Sequence, residues 1–69
     1  MIPAHQQRVL DEHTELEKRI TSLAAFVHTE IYAGLETVDQ DHLDVQLKTM
    51  RLYSHILAMR IVRFNLETV

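Results

Sequence analysis

The sequence predicts an all-α fold: an antiparallel two-helix hairpin that pairs with a second copy of itself into a homodimeric helical bundle. Three observations carry this expectation. Two long stretches, about residues 3–28 and 39–66, contain no helix breaker beyond Pro3 and flank the single glycine, Gly34. Both repeat apolar residues at helical spacing. The second does so on two opposite sides, so one flank can pack within the chain while the other needs a partner.

Size and composition agree with assembly. A chain of 69 residues forms one domain at most, and a domain of this size buries too little surface to be comfortably stable alone. With no cysteine, disulfide stapling is excluded, which leaves oligomerisation as the natural remedy. The N-terminal residues show no apolar core or cleavage pattern, and no apolar run is long enough to span a bilayer. The expected location is the cytoplasm. A net charge of −3 argues against direct nucleic-acid binding, which needs a concentrated basic surface.

Pro3 suits the start of a helix, where its missing N–H is not needed. The first helix, from there to about His28, carries the stripe Val9, Leu16, Ile20, Leu23 and Val27, with His13 in register. Asp11, Glu12, Glu15 and Glu17 crowd its first half, and Glu15 stands four residues before Arg19. The connection, about residues 29–38, contains Gly34, which can supply a positive φ for the reversal. Tyr32 and Leu35, with Phe26 just before, make it more apolar than a passive linker; they pack over the hairpin's end or present a contact.

Thr37 followed by Gln40 resembles a capping box, with Asp39 as a competing N-cap. In the second helix Leu43, Leu47, Met50, Leu57, Ile61 and Phe64 fall on one flank at about 100° per residue. Val45, Leu52, Ile56, Met59 and Leu66 fall opposite and form the expected dimer interface. Lys48, Arg51, Arg60 and Arg63 can meet the acidic half of the first helix across an antiparallel hairpin.

Signs of chemistry are scarce. The five histidines are never three or four apart, so no pair shares a helical face at ligand spacing, and neither metal nor cofactor is expected. His13 within the apolar stripe reads as a packed plate with a wet edge, ahead of a registry residue or a protonation switch. Ser54 and His55 are adjacent, but neighbours in a helix point in different directions. There is no glycine-rich phosphate loop. An enzyme is not expected. Met50 and Met59 read as core filler before an adaptable groove. Phe26, Tyr32, Arg51, Tyr53 and His55 are residue types enriched at interfaces and are the candidate partner-binding residues.

The chain resembles a group of small phage and prophage helical proteins. The resemblance rests on Gln7-Arg8-Val9, Glu12 with Glu15-Leu16, Tyr32 with Leu35, Gln46-Met50-Tyr53, and Arg60-Ile61 with Phe64. It spans most of the chain, and Gln46, Tyr53 and Arg60 are its more telling points because the other positions belong to the apolar stripe of any helical hairpin. In length and layout it is similar to phage-encoded quorum-sensing anti-activators. That resemblance implies a cytoplasmic dimer that sequesters a host LuxR-type (LasR-like) transcriptional regulator, with a link to inhibition of a type IV pilus assembly ATPase. Two rivals stand beside it: an oligomeric sponge for a signalling nucleotide using Arg51, Tyr53 or Arg60, and a structural phage component.

Overall fold

The computed structural model describes residues 2–67, with side chains described as far as Phe64. All regular structure among them is helical: α1 (Ala4–Phe26), α2 (Glu30–Ala33) and α3 (Thr37–Glu67). The chain is a rod, 51 × 16 × 15 Å, because a helix of 31 residues sets its length. Contacts pair Glu12 with Tyr53, Glu17 with Ser54, and Tyr32 with Asp44, so α1 and α3 run side by side in opposite directions.

Pro3 takes the N-cap position of α1 with an extended backbone (φ −55°, ψ 146°), and its carbonyl accepts from the amides of Gln6 and Gln7. No glycine or proline ends α1. The chain leaves the helix at Thr29, whose extended backbone (φ −91°, ψ 161°) lets its hydroxyl cap α2 by accepting from the Tyr32 amide at 3.2 Å. The same hydroxyl donates to the Phe26 carbonyl at 2.7 Å, tying the two helices together across the bend.

Gly34 has φ −83° and ψ −5°, ordinary right-handed geometry, and the described residues contain no positive φ. The reversal therefore does not use the freedom that only glycine has, contrary to the expectation from sequence. Nor does Gln40 form a capping box with Thr37. Its amide donates to the carbonyls of Tyr32 at 2.9 Å and Ala33 at 3.4 Å, satisfying the end of α2.

The core is one layer deep. Val9, Leu16 and Ile20 from α1 meet Leu47 and Leu57 from α3, with Leu23, Ala24, Met50, Ile61 and Phe64 partly buried around them. Among the described residues Leu57 alone is fully enclosed. The stripe of α1 and the inner flank of α3 are therefore largely those expected from the spacing, except that Val27 and Leu43 are part-buried outside this core. Cross-helix ion pairs are absent among the described residues: Lys18 bonds Glu15 at 3.3 Å and His13 lies 3.8 Å from Glu17, both within α1. Neutral hydroxyls of α3 take the acids of α1 instead.

Candidate interaction surfaces

The outer flank of α3 is solvent-exposed throughout the described residues. Val38, Val45, Leu52, Ile56, Met59 and Val62 are each between 41% and 62% exposed. Four of the five expected interface residues, Val45, Leu52, Ile56 and Met59, lie in this stripe; the side chain of Leu66 lies outside the described residues. Val38 and Val62 extend the stripe beyond the expected set, and their helical spacing from its members is the signal that marks them.

The candidate partner-binding residues do not form one patch. Phe26 and Tyr32 meet edge to face at the connection, with ring centroids 6.2 Å apart and an interplanar angle of 87°. The Tyr32 hydroxyl donates to Asp44 at 2.7 Å, so this pair closes the end of the rod. Of the two readings of the apolar connection, packing describes Tyr32, while the adjacent Ile31 is 70% exposed. Tyr53 lies midway along α3 and its hydroxyl donates to Glu12 at 2.6 Å. That bond, then partial desolvation, then the Glu12 charge, raise the Tyr53 pKa above its ordinary value, with Arg60 nearby acting in the opposite sense. Arg51 and His55 are exposed on the other edge of the outer stripe, one helical turn apart.

Ser54, Glu17 and His13 cluster between the helices. The buried Ser54 hydroxyl donates to Glu17, and half-buried His13 approaches the same carboxylate. The order of the groups decides what this cluster can do. With the carboxylate in the middle, the imidazole is not positioned to take the serine proton, as nucleophilic catalysis would require. The cluster satisfies a buried hydroxyl and joins α1 to α3. His13 at 3.8 Å is beyond hydrogen-bond distance and keeps a wet edge.

A shallow open groove of about 530 Å³ runs between the second half of α1 and the first half of α3, lined by Lys18, Arg19, Ser22, Phe26, Gln46 and Met50 among others. It joins two cations, two uncharged polar groups and an aromatic face. In the sequence alone Lys18 and Arg19 look like ordinary surface charges. The signal available is the spacing of Arg19, Ser22 and Phe26, at i, i+3 and i+7 on one side of α1. Among the described residues no three His, Asp or Glu side chains converge as metal ligands, and no helix is long and apolar enough to cross a membrane.

The Sequestin family model matches residues 3–63. Over 62 residues the sequence is 31% identical to an uncharacterized 7.5 kDa protein in the denB-rIIB intergenic region of Enterobacteria phage T4, covering 90% of this chain and 97% of that protein. No solved structure matches.

Proposed function

The chain belongs to the Sequestin family, and on that premise we propose that it is a phage protein that works by sequestration, as a homodimer that binds a host protein and performs no chemistry of its own. The observation that carries this reading is the exposed apolar stripe of α3, too extensive to leave in water and too narrow for a substrate pocket. A pair joined through α3 presents two copies of every remaining face, including Arg51 with His55 on one edge and Tyr53 with Arg60 on the other.

As the target we propose a LuxR-type transcriptional regulator, with a type IV pilus assembly ATPase as a second host partner. Blocking the regulator's DNA-binding or dimer surface requires only a complementary interface. The test is to mix purified protein with a purified LuxR-type regulator and follow co-elution and operator binding. The expected result is a stoichiometric complex that no longer binds operator, weakened on the order of tenfold by Arg51→Ala with His55→Ala, as for residues that anchor an interface. A regulator that elutes separately and still binds operator refutes this target.

One observation favours a second reading, sequestration of an anionic small molecule such as a signalling nucleotide. The groove at Lys18 and Arg19 has cations, an aromatic face and hydrogen-bonding groups together, as nucleotide recognition uses them. Arg51, Tyr53 and Arg60 do not supply that combination within one chain, since Arg51 lies on the opposite edge of α3 from the other two. Heat release of a nucleotide from freshly purified protein, lost in Arg19→Ala, supports this reading; a protein free of small molecules goes against it.

A further inference from the structure

The outer stripe of α3 has an internal order that says how a second copy sits on it. Val38, Val45, Leu52 and Met59 recur every seventh residue, with Ile56 beside them. A seven-residue repeat keeps one side of a helix against a neighbouring helix over its full length. The chain as a whole, a rod, also exposes more surface than a compact monomer would. The folded chain exposes 5431 Å² at a mass of 8.1 kDa, whereas a compact monomer of that mass exposes about 4,500 Å². The excess of roughly 900 Å² is close to the ~800 Å² that each partner buries in an interface of standard size.

Charge decides the orientation. Asp41, Lys48 and Arg63 are exposed and lie within about 60° of the centre of the stripe, Arg63 on it and Asp41 and Lys48 to one side. In a parallel pair each position faces its own counterpart, so aspartate meets aspartate, lysine meets lysine and arginine meets arginine. In an antiparallel pair centred on Leu52 these clashes are removed. Asp41 lies eleven residues before Leu52 and Arg63 eleven after it, so each Asp41 comes level with the other chain's Arg63. Val45 and Met59, seven residues to either side, come level with each other. The helix dipoles also then oppose, which is the favourable arrangement.

We propose that a second copy of this chain covers the stripe, with the two α3 helices antiparallel about a two-fold axis at Leu52 and Asp41 paired to Arg63 at both ends. This rests on the homodimer proposed above and specifies its geometry.

The absence of cysteine makes the test direct. Val45→Cys, Leu52→Cys and Met59→Cys are made singly and treated with a bismaleimide spanning about the 8–10 Å between packed helix axes. Antiparallel pairing predicts that Leu52→Cys crosslinks to itself. Val45→Cys and Met59→Cys do not, because each lies fourteen residues, or about 21 Å along the helices, from its own counterpart. A mixture of those two variants, refolded together, does crosslink. Self-crosslinking of Val45→Cys and Met59→Cys overturns the proposal in favour of parallel pairing, and no crosslinking by any variant places the contact elsewhere or shows a monomer.

A second measurement guards against misfolded variants. Asp41→Arg and Arg63→Asp should each weaken the dimer on the order of tenfold, and the double variant should restore it. Within one chain the two positions are about 33 Å apart, so rescue has to pass between chains. A double variant as weak as the single ones overturns the pairing. Regulator capture with the wrong crosslinking pattern overturns only this geometry, and the right pattern without capture overturns only the proposed target.

Discussion

At the residue scale, the polar contacts that join α1 to α3 across their apolar core are hydroxyls given to carboxylates. Such bonds make the ionisation of the tyrosines sensitive to folding. Tyr32 and Tyr53 each donate to a carboxylate, and that bond, together with desolvation and the nearby negative charge, raises both pKa values above 10.0. Because the folded value exceeds the unfolded one, the stabilisation is complete below about pH 10 and is lost as pH rises through the folded value. The tyrosinate absorbance should therefore appear at higher pH than in unfolded chain, and Glu12→Gln should lower the midpoint of one of the two tyrosines. An unchanged midpoint would mean that the Tyr53–Glu12 bond does not persist in solution. Leu57, the one fully enclosed side chain, is the sensitive core position: Leu57→Ala should cost about 2–5 kcal/mol by thermal or denaturant unfolding. These donor–acceptor contacts were not legible in sequence: Tyr53 stood out there as a candidate partner-binding residue and Glu12 as one acid among several of α1, and only the helix register brings the two together. The sequence suggested Lys and Arg partners for the same acids, since charge is visible there and relative height is not.

At the element scale, the long helices were readable and the bend between them was not. Breaker-free stretches with a 3.6-residue period locate α1 and both flanks of α3, because a long periodic pattern averages out local ambiguity. The four-residue α2 is too short to show a period, and its presence depends on the Thr29 hydroxyl serving two bonds at once. Thr29→Ala should accordingly cost about 1 kcal/mol, the usual loss for a removed N-cap. Gly34 gives the opposite prediction from the one its identity suggests. Its φ is ordinary, and an added Cβ would meet the Glu30 and Ile31 carbonyl oxygens at 3.5 and 3.6 Å, normal contact distances. Gly34→Ala should be neutral or stabilise the fold by about 0.4–1 kcal/mol through a less flexible unfolded chain. A clear loss of stability would show that the bend uses a different backbone in solution.

At the scale of the whole molecule, a core one layer deep and an apolar stripe facing outward belong together. Among the described residues one side chain is fully enclosed, while the six apolar residues of the outer stripe of α3 stand in water, and the proposed dimer would supply the burial that the single chain lacks. Leu52→Asp or Ile56→Asp should therefore abolish the dimer and with it much of the helicity, read by sedimentation and circular dichroism. Retention of a helical dimer by both variants would move the interface to another face. The exposed apolar side of α3 was visible in sequence as a helix with two apolar flanks; the groove at Lys18 and Arg19 was not, because it is formed only when α1 and α3 lie together.

The outward stripe also sets a dose response. If it is covered only by another copy, then at low abundance the quantity of assembled protein grows with the square of the number of chains made, and a lone chain is a poorly protected target for proteases. An early trickle of synthesis would leave little active protein, and a burst would switch it on abruptly. Serial dilution should show the midpoint of unfolding falling with concentration, and binding activity falling with it.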